Sequence, residues 1–264
     1  MHAGIRLAVR IEREDALNAA GAARAHVRLY PDSRAKVLDI AGGTAAFTTP
    51  ESPLTHLVGA GMYGPVTAAD IDAVETFYRE NGCPSVNIDV CPHAHESLAE
   101  VLANRGYWIA EFNNVLARRI GPADQWPVDT RITQAHDIGL WSTTVMGGFF
   151  DRDEPGAEEV EVGEALFAID GAASFVANEG GTPAAGGAVT IRPGIAYFLS
   201  DSTLAQYRGR GLQRALIEAR LATAVEAGCD LAAVTTLAGT LSQRNYERCG
   251  FRVVYTKLNM QRDF

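Results

Sequence analysis

Cysteine is scarce: Cys83, Cys91, Cys229 and Cys249 are the only four in 264 residues. Their spacing matches no disulfide scaffold in a chain of this length, so the expectation is reduced, buried thiols in a cytoplasmic protein. Basic charge is scarce too. Against 32 Asp and Glu stand 23 Lys and Arg, and the net charge is −9. That balance argues against a nucleic-acid surface and suits cationic partners such as amines. No apolar run is long enough to span a membrane, and the segment Met1 to Glu12, with Arg6 and Arg10, lacks the apolar stretch of a signal peptide. No low-complexity tract is present. What is abundant is hydrophobic residue, 47% of the chain, enough to bury a substantial core over a length that suits two domains.

Gly121-Pro122-Ala123-Asp124-Gln125-Trp126-Pro127 separates an apolar, strand-like run from a new strand. A domain boundary is expected there, giving domains 1–125 and 126–264. The two halves end alike. Asn104-Arg105-Gly106-Tyr107-Trp108-Ile109 closes the first, and Arg248-Cys249-Gly250-Phe251-Arg252-Val253 closes the second. In each a helix stops at glycine, an aromatic follows, and a strand pair finishes the domain. The recurrence suggests a duplicated domain.

In the second half the expected elements are a strand near 130–133, helices near 137–146 and 157–168, and strands near 173–177, 186–191 and 195–200. A long helix from about 211 to 227, a strand at 231–236, a helix at 242–249 and a last strand after Phe251 complete it. That order implies an α/β (α+β) mixed sheet flanked by helices.

The segment Gln206-Tyr207-Arg208-Gly209-Arg210-Gly211 lies between a strand and the long helix opened by Leu212, Gln213 and Arg214. Glycines let backbone N–H groups approach an anion. The first helical turn leaves its N–H groups unpaired and partially positive. Together they form a pyrophosphate cradle. Arg208, Arg210 and Arg214 reverse the sign of an acidic chain locally. A plain Gly–Arg turn is the structural alternative. A dinucleotide-binding loop would need a third glycine where Arg214 stands.

Gln206-x-x-Gly209-x-Gly211 after a strand resembles the coenzyme A loop of the GNAT superfamily of N-acetyltransferases. Tyr246-Glu247-Arg248-Cys249-Gly250-Phe251 resembles that family's last helix. The likeness covers about residues 130–264. A tandem arrangement of two acetyltransferase-like domains follows, the first degenerate. The resemblance implies acetyl-CoA as co-substrate, no metal, and direct attack by the primary amine of a small molecule or peptide. It implies Tyr246 as general acid; the ordinary alternative is a tyrosine that packs the last helix against the sheet. Asp201, or a water relay, is the candidate base. Asp201-Ser202-Thr203 would splay open beside the thioester, with Ser202 and Thr203 holding the pantetheine arm. The loop residues Arg208 to Arg214, with Leu212 and Gln213, would hold the pyrophosphate. Where the family often carries asparagine, Gly239 stands, so Ser242 and Asn245 are the substitutes expected to touch the coenzyme. Phe149, Phe150 and Asp151 fall in the acceptor region, at the start of an acidic run that continues through Asp153, Glu154, Glu158, Glu159, Glu161 and Glu164. The ordinary reading of that run is a solvated helix face.

The first half lacks the loop. Pro65 and Thr67 stand in place of Gly209 and Gly211, and Leu102 in place of Tyr246. Thr67 is expected to cap a helix near 68–81, with Asp70 beside its N-terminus. Cys91-Pro92-His93-Ala94-His95 offers clustered metal-ligand types but no second cluster, and reads as a surface loop. The competing function is a non-catalytic acyl-CoA-binding or sensing protein. A nucleotide-binding oxidoreductase is more remote. No nucleic-acid or membrane partner is expected, and a homodimer is compatible with all of this.

Overall fold

The computed structural model describes residues 4–264 except residue 128. In chain order the helices are α1 (Ile5–Leu29), α2 (Ala68–Glu80), α3 (Glu96–Ala103), α4 (Ile138–Phe149), α5 (Ala157–Phe167), α6 (Leu212–Glu226) and α7 (Leu241–Arg248). The strands are β1 (Lys36–Ile40), β2 (Gly43–Phe47), β3 (His56–Val58), β4 (Ser85–Val90), β5 (Trp108–Arg119), β6 (Ile132–Gln134), β7 (Ala172–Glu179), β8 (Thr182–Arg192), β9 (Ile195–Thr203), β10 (Leu231–Leu237) and β11 (Arg252–Asp263). Two compact units result. The first is Met1–Val115 with Val254–Phe264, and the second is Leu116–Val253.

These units differ from the division expected at 125/126. The expected linker folds against β5 inside the second unit: Asp124 binds the Gly121 N–H, and the Arg118 guanidinium binds Asp124 and covers Trp126. The larger difference is the C-terminal strand. It was expected to close the second half, and instead β11 pairs antiparallel with β4 of the first unit, from Leu258 opposite Val90 to Asp263 opposite Ser85. Each half also ends in one long strand, β5 or β11, rather than a strand pair.

In the first unit the order runs β1-β2-β3-β4-β11. The 25-residue α1, unforeseen in the sequence, lays Ala19 and Ala23 against Ala46 and Val58. Small side chains permit that close approach. Ile71, Val74 and Tyr78 of α2 pack with Leu98 and Leu102 of α3 over Val86, Ile88 and Met260. Thr67 caps α2 as expected, in a reciprocal box with Asp70. Lys257, 1% exposed, brings β11 into an ion cluster with Asp15, Glu12 and Asp89. His56 Nδ1 lies 3.6 Å from Asp89. Burial works against charge on that ring, but Asp89 outweighs it and the His56 pKa is raised. His56 therefore stabilises the fold below the unfolded imidazole value of about 6.5, and this is lost as pH rises through the higher folded value. The urea midpoint should fall over that rise, and His56→Gln should flatten the dependence. An unchanged slope in the variant would assign the effect elsewhere.

The second unit orders β10-β9-β8-β7-β6, antiparallel except for the parallel β9–β10 pair. Here the elements match the expected order. Leu212, Leu216, Ile217, Leu221 and Ala224 form the buried stripe of α6 over Val189, Phe198 and Val234. All four cysteines are buried, and none forms a disulfide. Among the described residues no helix is long and apolar enough to cross a membrane.

Candidate active site

Two irregularities of β9 open the site. Its parallel pairing with β10 runs from Ile195/Leu231 to Phe198/Val234 and stops, although both strands continue. On its other side the register with β8 slips between Leu199/Ala188 and Ser202/Gly186, and Ser200 takes φ 60°. This is a β-bulge, which re-aims side chains and frees backbone groups. Asp201, Ser202 and Thr203 lie at the bulge and line a cleft of about 530 Å³. The expected splay is thus present.

Beyond Thr203 a short 3-10 turn, Ala205–Tyr207, leads into the glycine loop. Gly209 and Gly211 have φ of 77° and 79°, a left-handed conformation that only glycine adopts cheaply. Gly211 is the N-cap of α6, with no side chain to cap it. No described residue accepts a hydrogen bond from the backbone N–H of Gly209, Arg210, Gly211, Leu212, Gln213 or Arg214. That row of donors borders the cleft. The side chain of Leu212 is in the core, so only its backbone is available.

The three arginines of the loop are each paired with a carboxylate. Arg208 binds Asp151 at 2.8 Å, Arg210 lies 3.6 Å from Glu179, and Arg214 binds Glu218 at 2.8 Å. Arg208 also donates to the carbonyls of Thr203 and Gly148, tying the end of α4 to β9. Gly148 must lack a Cβ because one there would collide with Ser202. The Ser202 hydroxyl donates to the Val145 carbonyl at 2.6 Å, so its side chain is already committed.

On the opposite wall, Gln213 donates to Ser242 at 2.9 Å and accepts from Asn245 at 2.7 Å. Ser242 and Asn245, expected together as coenzyme contacts, are linked at the cleft through Gln213. Phe149 is 59% exposed on the cleft, and Phe150 packs against it edge-on. Asp151 and Asp153 line a neighbouring pocket of about 240 Å³ instead. Glu159 of the acidic run caps α5 by accepting from the Gly156 N–H.

Tyr246 and Asp201, 45 residues apart, are brought into direct contact: the phenol donates to Asp201 Oδ2. The Tyr246 ring is wholly buried between Phe198 and Phe251 and does not line the cleft. Burial, and then the charge of Asp201, push its pKa well above the ordinary phenol value. That is opposite to what a direct proton donor to a thiolate needs. The sequence reading missed Arg220, also fully buried, whose guanidinium binds Asp201 Oδ1 and lies 3.3 Å from Oδ2. The signal was present: Leu212, Leu216, Arg220 and Ala224 form one buried i, i+4 row, and arginine is the member that does not belong in a hydrophobic stripe.

The acetyltransferase (GNAT) family model matches residues 145–251. No curated protein sequence matches the chain. Among solved structures, a GCN5-related N-acetyltransferase from Kribbella flavida is similar, with TM-score 0.54 and 18% identity over 92% of this chain and 95% of that one. One from Sphaerobacter thermophilus gives 0.57 and 15% over 87% and 76%. A tandem GNAT protein from the clavulanic acid biosynthesis pathway gives 0.57 and 13% over 84% and 78%. At these identities the structures speak for the fold. Residues 145–251 thus match the acetyltransferase (GNAT) family, and the fold of most of the chain is that of solved GNAT proteins, a tandem one among them.

Proposed function

We propose that the protein transfers an acetyl group from acetyl-CoA to the primary amine of a small-molecule or peptide acceptor. The observation that carries this is the row of unpaired N–H groups from Gly209 to Arg214 beside a cleft that reaches the splayed end of β9. A pyrophosphate is the ligand such a row fits. The pantetheine arm would then run along Asp201–Thr203, and freed backbone groups would face the thioester oxygen as charge develops there. The neutral amine attacks the carbonyl carbon, the N–C bond forms, and the C–S bond breaks. The new ammonium loses one proton and the departing thiolate gains one. Asp201, on the cleft wall, is proposed to take that proton and return it. An amine nitrogen already bonded to an acyl carbon is far more acidic than the free ammonium, so a weak base suffices. Tyr246 then acts as a positioning residue, through its hydrogen bond to Asp201.

The first unit is proposed to hold no coenzyme. The N-terminus of α2 is already occupied by its own Thr67–Asp70 box, and Pro65 supplies no N–H. A cytoplasmic location, where acetyl-CoA and reduced thiols coexist, belongs to the same proposal.

The test is thiol release from acetyl-CoA across amines, amino acids, aminoglycosides and peptides. Acceptor-dependent release supports the reading. Coenzyme binding with no release from any acceptor would identify an acyl-CoA sensor instead. The acidic pocket makes a narrower claim. Reversing charge at Asp151 and Asp153 should raise KM for a cationic acceptor about tenfold, the scale of a lost charge contact. Unchanged acceptor affinity would leave Asp151 as a tether for Arg208 only.

A further inference from the structure

A charged side chain with no exposure, in the middle of an apolar helix face, requires a reason. Arg220 is such a side chain, and every nitrogen of its guanidinium is engaged. Nε donates to the Leu216 carbonyl at 3.0 Å, and one terminal nitrogen to the Ala188 carbonyl at 2.8 Å. The remaining donors reach both oxygens of Asp201. The guanidinium lies 4.9 Å from the centre of the Phe198 ring. Room for it is made by Gly187, where a Cβ would come within 2.8 Å of the guanidinium carbon. Gly187 faces the Ser200–Asp201 bulge in the β8–β9 register. Glycine, bulge and arginine are thus one local construction, and what it holds is a single carboxylate at the edge of the cleft.

Burying an ion pair is a poor route to stability, because desolvation offsets most of the attraction. An apolar pair would fill the same volume at lower cost. What the charged pair provides is orientation: a planar fork on a carboxylate fixes its rotation, which an ammonium point charge does not. Asp201 lines the cleft, and with it fixed its Oδ2 is presented to the Tyr246 hydroxyl. We infer that Arg220 is a positioning residue for acyl transfer, setting the Asp201 carboxylate toward the reacting atoms from beneath the β9 bulge. The inference rests on the acetyl-transfer reading above.

The experiment compares wild type, Arg220→Lys and Arg220→Met in the thiol-release assay, with thermal unfolding of each. Arg220→Lys keeps the charge but loses the fork. Its kcat should fall about tenfold and that of Arg220→Met about 30-fold, less than the roughly 100-fold or more that loss of an acid or base itself costs. KM for acetyl-CoA should stay within about twofold, since only the chemical step is touched. The pH profile of kcat should also shift in Arg220→Lys. A merely structural arginine would move the unfolding temperature and leave kcat and its pH profile as in wild type, and that result overturns the inference. If Arg220→Met loses cooperative unfolding, Arg220→Lys decides alone, on kcat and its pH profile together. Should Arg220→Lys not fold either, the arginine is structural and the inference falls. Absence of release from wild type with every acceptor would instead remove the acetyl-transfer reading, and this inference with it.

Discussion

Gly211→Asp should raise the Kd for coenzyme A about 100-fold, which is about 2.7 kcal/mol of binding. Gly211 is the N-cap of α6, and the unpaired N–H groups of the loop surround it. An aspartate there does two things. It offers those donors an internal carboxylate, as Asp70 does at the start of α2. It also sets a negative charge beside a pyrophosphate. Two like charges 4 Å apart repel by about 4 kcal/mol at an effective dielectric of 20, and salt reduces this. Aspartate tolerates the left-handed conformation better than most residues, so the fold should survive. Gly211→Ala brings the backbone strain without the charge, about 1 kcal/mol, and should weaken binding by no more than about tenfold. Titration calorimetry with coenzyme A separates the two variants. A Kd within threefold of wild type in Gly211→Asp would mean that the phosphates lie elsewhere.

The second unit was legible in the sequence because its signals are local. The change of period at Gly209–Gly211, the apolar stripe of α6 and the glycine after α7 each specify an element without reference to the rest of the chain. The glycine loop proposed to take the pyrophosphate belongs to the same class, since its donors are consecutive backbone groups. The acetyl-CoA reading follows from that and from one distant motif.

What the sequence hid is non-local. The apolar pattern of Arg252 to Asp263 does not indicate that β11 pairs with β4, because an alternating strand fits any edge of suitable register. Lys257 was the available clue: a lysine on an inward-facing position needs buried carboxylates, and Glu12, Asp15 and Asp89 supply them only in the first unit. α1 was hidden for a different reason. Its buried face is mostly alanine, which contributes little to a hydrophobic periodicity. The role of Tyr246 was half legible. Its place on α7 was right, but only the fold shows that its hydroxyl meets a carboxylate instead of the open cleft.

Tyr246→Phe should therefore lower kcat by about 100-fold, with KM for acetyl-CoA nearly unchanged. The usual argument for such a tyrosine is proton donation, and here it meets two obstacles. An ordinary phenol of pKa about 10 giving a proton to a thiolate of about 8.5 already runs uphill by roughly 2 kcal/mol. Burial and Asp201 push the Tyr246 pKa higher still. The loss in the variant must then come from Asp201. Removing the hydroxyl takes a donor from a carboxylate that is 6% exposed, and a hydrogen bond to a charged group is worth about 1.5–3 kcal/mol. That range corresponds to roughly 10- to 150-fold in rate. Two observations distinguish this from direct proton donation. If Tyr246 donated to the thiolate, acyl donors with a better leaving group would restore the rate of Tyr246→Phe, because the proton would no longer be needed. If it positions Asp201, such donors leave the deficit in place, and Tyr246→Phe combined with Arg220→Lys should cost less than the product of the two single effects, since both act on one carboxylate. A full multiplicative loss, or a Tyr246→Phe enzyme of wild-type rate, would separate Tyr246 from Asp201 in the mechanism.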